Sequence, residues 1–244
     1  EKIMNILSIG NSFSQDAQRY LHRIAKSTGY ELNSYNLYVG GCPLSRHHEI
    51  MITGEKAYEL EINGETTNEF VSLDDVITKH EWDIITVQQV SNQSPDFATY
   101  EPYLTEIVNY VRKCVPKAKI AVHQTWAYED GSERLTKELN YKKHEEMFRD
   151  IEIAYNKAYE LIDADFLIPS GKLFETLLAN DIEKVHRDTF HARLGLGRYA
   201  LGLLWYTVLT GRDIENVTFN DFDESVTDEE IRIAKESVIK TIFQ

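Results

Sequence analysis

The hydrophobic and polar positions along the chain follow two alternating patterns. Short, mainly apolar runs predict strands at 3–9, 31–39, 83–89, 119–124 and 165–169. Apolar residues spaced three and four positions apart predict helices at 15–28, 73–80, 100–114, 138–162, 171–179, 192–210 and 227–242. Strands that alternate with helices build a parallel sheet with helices on both faces. The pattern therefore predicts an α/β fold, a three-layer α/β/α sandwich with a five-stranded, mainly parallel sheet.

Residues 57–70 interrupt this alternation, between the second and third predicted strands. Asn63 and Gly64 lie there between alternating residues, and this dipeptide favours the tight turn of a two-stranded hairpin. We therefore expect a small β-hairpin insertion over 57–70. Neither an internal repeat nor a low-complexity segment divides the sequence, so residues 1–244 are predicted to form a single domain.

Charge and hydropathy exclude several classes of protein. The chain has 40 acidic and 26 basic residues, a net charge of −14, so neither nucleic acid nor an anionic membrane surface is an expected partner. The longest apolar stretch, 200–209, has about half the length that a transmembrane helix needs, so a buried helix is expected there. Cys42 and Cys114 are too few for a disulfide framework and match no zinc-binding spacing. The oligomeric state stays open.

The first residue bears on cellular location. The sequence begins at Glu1 rather than at Met, as a trimmed or a mature chain does, and a removed export signal would not be visible in it. A periplasmic or extracellular location is therefore slightly favoured over the cytoplasm.

Small and polar residues follow four of the five predicted strands. Ligands of open parallel sheets bind beyond the carboxyl ends of the strands, which makes these residues candidates for a site. They are Gly10, Asn11 and Ser12 after the first strand, Gly40 and Gly41 after the second, residues 88–92 after the third, and His123, Gln124 and Trp126 after the fourth. The sequence thus predicts a polar site at one edge of the sheet.

Ser12 lies where the first strand is predicted to meet a helix. A serine in that position can be a nucleophile, because the N–H groups at a helix start favour developing negative charge. It can also be only a helix cap, since Ser12-x-x-Gln15 fits a capping box. Asp188 and His191 favour the first interpretation, because a nucleophilic serine needs a base and the base needs an orienting carboxylate. Taken alone, each of these two fits an ordinary loop residue.

Together these features resemble the SGNH (GDSL-like) hydrolases. The resemblance rests on Gly10-Asn11-Ser12 after the first strand, a glycine after the second, an asparagine after the third and a late Asp-x-x-His. More narrowly, IGNSFS, GGCPL, VQQVS, HQTWAYE and WYTVLTG resemble a bacterial branch of this superfamily described mainly as domains of unknown function. The resemblance extends from Ile3 to Gly211 and implies the flavodoxin-like fold of the SGNH hydrolases.

The resemblance also implies a catalytic triad. Ser12 matches the nucleophile, although the usual Gly-Asp-Ser is Gly-Asn-Ser in this chain. Asp188 and His191 match the acid and the base of the family's Asp-x-x-His block. Neither a metal nor an organic cofactor is required for this chemistry.

An oxyanion hole is implied as well. In the family it consists of the serine N–H, a glycine N–H and an asparagine side chain, and the matching residues are Ser12, Gly41 and Asn92. The family's Gly-x-Asn-Asp block falls on 90–93, where only Asn92 matches. Gln89, at the end of the third strand, is the alternative third donor.

Two further groups of residues are candidates for a binding site. His47 and His48 are adjacent, so their side chains diverge, and a third histidine with ligand spacing is missing from the sequence; we expect no metal. Aromatic, amide and imidazole groups together suit a sugar ring, so we expect a set of residues near the strand ends to contact substrate. The set comprises Asn11, Tyr38, His123, Gln124 and Trp126. The alternative is that Trp126 and Tyr128 pack against the hairpin insertion.

The residues and the resemblance lead to one functional expectation. The chain is expected to be a serine esterase of SGNH type that hydrolyses small acyl esters, with acetyl groups on a carbohydrate as the expected substrate. Its expected partner is accordingly a small-molecule or glycan ester. The competing hypothesis is a glycan-binding protein that keeps the SGNH scaffold without efficient catalysis, which the incomplete match at 90–93 would favour.

Overall fold

The computed structural model describes residues 2–244, and within them seven strands form one sheet. The strands are β1 (Met4–Gly10), β2 (Leu32–Tyr38), β3 (Tyr58–Ile62), β4 (Glu65–Val71), β5 (Ile84–Val87), β6 (Lys119–Gln124) and β7 (Phe166–Pro169). The helices are α1 (Ser12–Gln18), α2 (Leu21–Ser27), α3 (Leu44–Thr53), α4 (Leu73–Ile77), α5 (Tyr103–Cys114), α6 (His144–Leu161), α7 (Ser170–Ala179), α8 (Leu196–Thr210) and α9 (Asp228–Ile242). A 3-10 turn at Phe97–Thr99 and a π-helical turn at Arg134–Glu138 lie in the connections.

The order of the strands is β4-β3-β2-β1-β5-β6-β7. Strands β2, β1, β5, β6 and β7 are parallel and are the five strands that the sequence predicts, so the mainly parallel sheet is confirmed. Strands β3 and β4 are antiparallel and extend the sheet beyond β2. The predicted count of five is wrong, because β3 pairs with β2 and the hairpin becomes part of the sheet rather than a separate insertion.

The hairpin itself lies where the sequence predicts it. Asn63 and Gly64 join β3 to β4 with φ angles of 52° and 84°, the positive values that a tight hairpin turn requires. Strand β4 forms the edge of the sheet, and most of its side chains are exposed. Apart from Phe70 these exposed side chains are polar, with Thr66 and Glu69 among them, and polar side chains discourage this edge from pairing with another chain.

Each face of the sheet has its own hydrophobic core. Successive residues of a strand point to opposite faces, so Ile6 packs into one core and Leu7 into the other. Helices α1, α2, α7, α8 and α9 cover the first core, and α3, α4, α5 and α6 cover the second. The three-layer α/β/α sandwich is thereby confirmed. Helix α8 is the buried helix expected around 200–209, and none of the helices within residues 2–244 is long and apolar enough to cross a membrane.

Three predicted helices differ most in their bounds from the observed ones. The helix predicted at 15–28 is two helices, α1 and α2, because the chain bends at Arg19 and Tyr20. The helix predicted at 138–162 begins only at His144, since Asn140 has a φ of 61° that an α-helix does not accommodate. The helix predicted at 192–210 begins at Leu196, after a turn closed by a bridge between His186 and Ala192.

The central strand sets the place of the site. Strand β1 has β2 on one side and β5 on the other, so the connections to these two neighbours leave in opposite directions. Such a reversal opens a crevice at the carboxyl ends of the strands, where ligands of α/β proteins bind. Ser12 follows β1 directly at this crevice.

Candidate active site

Asn11, rather than Ser12, caps the helix that follows β1. The Asn11 side-chain oxygen accepts the N–H of Phe13 at 2.9 Å, and the Ser14 hydroxyl oxygen accepts the N–H of Asn11 at 3.1 Å. This capping box replaces the alternative box of Ser12 and Gln15. Ser12 is therefore the first helical residue, and its hydroxyl is not used by the helix.

Ser12, His191 and Asp188 form one hydrogen-bonded chain. The Asp188 carboxylate accepts the Nδ1–H of His191 at 2.7 Å, which leaves Nε2 of the ring as the acceptor. The Ser12 hydroxyl lies 2.9 Å from this Nε2. The structure thus brings together all three residues of the expected triad, with the tautomer that a general base needs.

Asp188 is held by the turn that carries His191. Its Oδ1 accepts the N–H of His191 at 2.8 Å, and Thr189 in the same turn has a φ of 77°, which threonine rarely adopts. Partial burial raises the pKa of Asp188, but the side-chain and backbone hydrogen bonds from His191 outweigh it, so its pKa lies below the ordinary value. The carboxyl is accordingly ionised at neutral pH and can stabilise a charged imidazole.

A buried carboxylate fastens this turn to α1, the helix that begins at Ser12. Asp16, one helical turn after Ser12, is fully buried and accepts the N–H of Ala192 at 2.9 Å. Arg187 and Arg198 donate to the other oxygen of Asp16 at 3.0 and 2.9 Å. Two guanidinium groups thus neutralise one buried charge, and Asp16 fixes the position of His191 relative to Ser12. Asp16 is not among the residues predicted for the site, and its only signal in the sequence is a carboxylate on the apolar face of a helix.

The triad opens into a cleft of about 450 Å³. Gly41 and Asn92 line this cleft together with Ser12 and His191, as the oxyanion-hole prediction requires. Gly41 has a φ of 64°, a conformation that favours glycine. Within residues 2–244, the N–H groups of Ser12 and Gly41 and the side chain of Asn92 have no hydrogen-bond partner. These three donors are therefore free to bind an oxygen of a ligand.

Gln89, the alternative third donor, is placed elsewhere. Its side chain is buried, its oxygen accepts the N–H groups of Leu44 and Val90 at 2.9 and 2.8 Å, and its nitrogen donates to Thr99. Each polar atom of this amide is thus used by the fold, and Gln89 does not line the cleft. Of the two alternatives, the geometry favours Asn92.

Two of the five expected substrate contacts, Asn11 and Tyr38, line the cleft. Tyr38 is partly exposed there. The side chain of Asn11 is buried and occupied, because its oxygen also accepts from Gln88 at 2.6 Å and its nitrogen reaches the carbonyl of Cys42 at 3.4 Å. Asn11 therefore joins three loops of the site, and of the two residues only Tyr38 offers its side chain to a ligand.

His123, Gln124 and Trp126 are corrections to the expected set, because all three are buried and outside the cleft. Trp126 stacks on Phe13 with ring centroids 4.1 Å apart and belongs to the core under the site, not to the hairpin. Gln124 accepts the N–H of Lys172 at 3.0 Å at the start of α7. Side chains at a strand end point alternately to the cleft and to the interior, and the polar ones that point inward are satisfied by internal hydrogen bonds.

His123 belongs to a buried network that supports the cleft from below. Gln88 donates through its nitrogen to Asn11, so its oxygen faces Nδ1 of His123, which carries the proton. Nε2 of the ring then accepts from the hydroxyl of Ser170, 2.8 Å away. Burial lowers the pKa of His123 to about 3, so the ring is neutral.

The remaining candidates for chemistry do not form a second catalytic site. Burial raises the pKa of the Cys42 thiol to about 12, so this cysteine is a protonated core residue. His47 is buried against Tyr58, and His48 pairs with Glu106, so the two histidines diverge as expected. Within residues 2–244, the one cluster of three metal-ligating atoms lies outside the cleft, where its histidine is already bound to a carboxylate at 2.8 Å. That cluster comprises Asp130, His144 and Glu145.

Comparison with known structures defines the class of fold. A protein from Slackia heliotrinireducens described as a candidate SGNH hydrolase matches with a TM-score of 0.63 and 19% identity, over 85% of this chain and 100% of its own. A candidate GDSL-like lipase from Parabacteroides merdae matches with a TM-score of 0.57 and 14% identity, over 86% and 97% of the two chains. The chain therefore has the fold of the SGNH hydrolases.

Within that class, the sequence identifies a particular family. The model of a domain of unknown function, DUF4886, matches residues 5–241, and the chain belongs to this family. A DUF4886 protein from Bacteroides uniformis is similar in structure, with a TM-score of 0.92 and 29% identity over 99% of this chain and 95% of its own. A comparison with curated proteins finds no match.

Proposed function

We propose that this protein is a serine esterase of SGNH type that removes small acyl groups, acetyl above all, from a carbohydrate. The observation that carries the proposal is the hydrogen-bonded chain from the Ser12 hydroxyl through His191 to Asp188, with distances of 2.9 and 2.7 Å. These three hydrogen-bonded residues face a cleft large enough for a sugar unit.

The reaction follows the two steps of acyl transfer. Nε2 of His191 takes the proton of Ser12 while Oγ attacks the ester carbonyl, and the negative charge of the tetrahedral intermediate falls on the former carbonyl oxygen. His191 then gives the proton to the departing alcohol, which leaves an acyl group on Ser12. A water molecule, activated by the same ring, releases the acid and restores the serine.

The charges that develop in these steps have defined partners. The carboxylate of Asp188 stabilises the imidazolium of His191 and holds its orientation. The N–H groups of Ser12 and Gly41 and the amide of Asn92 form the oxyanion hole, and such a donor contributes a few kcal/mol to catalysis in characterised enzymes. None of these steps needs a metal or an organic cofactor.

The lining of the cleft supports the proposal that the substrate is a small acyl group on a carbohydrate. Aromatic side chains of Tyr38, Tyr128 and Phe190 line it beside polar ones, and sugars bind surfaces of this mixed character. A long acyl chain would instead need an apolar tunnel. The hydroxyl of Tyr128 is hydrogen-bonded to Ser91 at 2.8 Å, which fixes the tyrosine ring in the wall of the cleft.

The competing function, a glycan-binding protein without catalysis, predicts a different response to serine reagents. A fluorophosphonate should label wild-type protein on Ser12 stoichiometrically, and Ser12→Ala should not be labelled. Hydrolysis of a panel of acetylated sugars and aryl acetates, with Ser12→Ala as the blank, then tests turnover. Sugar binding without labelling or hydrolysis would overturn the esterase proposal in favour of the binding protein.

A further inference from the structure

Arg134 is a cation at the wall of the cleft that the triad mechanism does not use. It begins the π-helical turn Arg134–Glu138 and lines the cleft together with Ser12 and His191. Its guanidinium carbon lies 4.0 Å from the centroid of the Phe190 ring. At this distance the face of the aromatic ring attracts the charged group and keeps it at the wall.

The guanidinium of Arg134 has no partner other than this ring. Within the described residues, 2–244, it makes neither a hydrogen bond nor an ion pair. Arg187 and Arg198, by comparison, both donate to the buried carboxylate of Asp16. A partly buried arginine without a carboxylate is unexpected in a chain with 40 acidic residues. Within residues 2–244 the contact with the ring occupies none of the N–H donors of the guanidinium, so they are available to a ligand.

The contact with Phe190 indicates on which side of the cleft the Arg134 charge lies, that of the alcohol part or that of the acyl part. The rings of Phe190 and His191 are adjacent, with centroids 3.8 Å apart. His191 protonates the alcohol that leaves, so its side of the cleft receives the alcohol part of the ester. Arg134 contacts the same Phe190 ring, so we place it beside the alcohol part rather than the acyl part.

We propose that Arg134 binds a carboxylate on the alcohol part of the ester, which makes the substrate class an O-acylated acidic sugar. This inference rests on the proposed function and narrows its substrate. A planar guanidinium binds a carboxylate through two parallel hydrogen bonds, a match that a neutral sugar hydroxyl does not offer. Glu138 also lines the cleft but is exposed to solvent, so its charge is screened more than that of Arg134.

Two aryl esters that differ in one charge test the inference. The probes are 4-acetoxybenzoate, whose leaving group carries a carboxylate, and 4-acetoxybenzamide, which is neutral. The readout is the ratio of kcat/KM for the benzoate to kcat/KM for the benzamide, because this ratio cancels general damage to the site. In Arg134→Gln we expect the ratio to fall about 10- to 100-fold, the effect of losing a charged hydrogen-bonding pair.

Three further variants test whether the change in this ratio follows the charge in the cleft and whether it is specific to Arg134. Arg134→Lys keeps the charge without the planar fork, so it should retain part of the ratio. Glu138→Gln removes the opposing charge of the cleft, so it should raise the ratio. Arg149→Gln removes an exposed arginine on α6 outside the cleft and should leave the ratio unchanged. An equal ratio in wild type and Arg134→Gln would overturn the inference.

Two separate measurements distinguish failure of the esterase proposal from failure of the proposal for Arg134. Hydrolysis of the neutral benzamide that depends on Ser12 tests the esterase alone. Binding of 4-acetoxybenzoate to Ser12→Ala and to the double variant Ser12→Ala/Arg134→Gln, measured by calorimetry, tests Arg134 without turnover. We expect binding about 10-fold weaker in the double variant; equal affinities would contradict the role of Arg134 whether or not the protein hydrolyses esters.

Discussion

Two serine–histidine pairs with nearly equal distances lie in the described part of this protein, one in the cleft and one beneath it. Ser12 and His191 are 2.9 Å apart, and Ser170 and His123 are 2.8 Å apart. The first pair is open to the cleft, whereas the second is fully buried. The ring of the first is oriented by the carboxylate of Asp188, and the ring of the second by the amide of Gln88.

The difference shows what a serine needs besides a neighbouring imidazole. A general base must become positively charged during a reaction, and in the proposed mechanism Asp188 compensates that charge at His191. His123 has only neutral partners, and burial lowers its pKa to about 3. The buried pair therefore cannot accept a proton at neutral pH, and it serves as a hydrogen-bonded support for Asn11.

The largest effect should come from replacing Ser12, and replacing the serine of the buried pair should have a different effect. Ser12→Ala should lower kcat by about 10⁴- to 10⁶-fold, because the nucleophile is lost. Ser12→Ala/His191→Ala should lose little more, since the two residues act as a unit. Ser170→Ala should instead lower the free energy of unfolding by about 1–2 kcal/mol, the cost of a buried hydrogen bond.

Kinetics with an aryl acetate and urea unfolding of the same preparations separate these outcomes. Fluorophosphonate labelling followed by peptide mapping should find the adduct on Ser12 and none on Ser170. Additive losses of activity in the double variant would contradict the pairing of Ser12 with His191.

A second variant makes the cleft pair resemble the buried one. Asp188→Asn gives His191 an amide partner, as Gln88 gives His123, so the imidazolium loses its compensating charge. We expect kcat to fall by about 10²- to 10⁴-fold, less than in Ser12→Ala. Asp165→Asn, in the loop before β7, is a control that changes a carboxylate outside the cleft. Activity of Asp188→Asn near that of wild type would remove Asp188 from the mechanism.

The same contrast between an open and a buried group applies to two amides. Asn92→Ala should lower kcat by about 10²- to 10³-fold with little change in substrate binding, because it removes an oxyanion donor. Gln89→Ala should mainly lower the free energy of unfolding, by about 1–3 kcal/mol, because it leaves buried N–H groups without acceptors. If kcat collapses in Gln89→Ala and persists in Asn92→Ala, the glutamine is the donor.

The smallest effect concerns the acid sensitivity that the buried ring adds to the fold. The pKa of His123 is about 3 in the folded state, below the value of about 6.5 for a histidine in an unfolded chain, so the unfolded state binds more protons. The contribution of the neutral ring to stability is complete above about pH 6.5 and is lost as the pH falls toward the folded value, by at most about 1.4 kcal/mol per pH unit.

Urea unfolding at pH 7, 5.5 and 4.5 measures this loss. His123→Gln should show a shallower decline than wild type by up to about 1.4 kcal/mol per pH unit, since it has no group to titrate. Equal slopes in wild type and His123→Gln would show that this ring does not titrate on unfolding.

The sequence predicts the layers of this fold well because each layer has a local signature. All five parallel strands and the turn at Asn63 and Gly64 could be located from periodicity and from one dipeptide. The pairing of β3 with β2 could not, because a hairpin signal describes contacts within the hairpin and not the strand on which it docks. The break between α1 and α2 was missed for a similar reason, since it depends on packing rather than on spacing.

For the site, residues with a family pattern could be predicted and residues defined by packing could not. Ser12, Asp188 and His191 carry a recognisable spacing, and the structure brings them together. His123 and Trp126 have the same polar or aromatic character as a sugar subsite, but the direction of a side chain at a strand end depends on neighbouring elements. Arg134 carries no sequence signal, because its place in the cleft depends on Phe190, far along the chain.

The anchoring of Asp16 has a consequence for the order in which this chain becomes functional. Ribosomes release the amino-terminal end first, so Asp16 emerges long before Arg187 and Arg198, the two cations that neutralise it. Until they arrive, burying this carboxylate is unfavourable, and the start of α1 lacks its final surroundings. Ser12 can therefore reach its reactive setting only late in biosynthesis, after α8 has docked, and nascent chains that end before it should be inert toward serine-directed reagents.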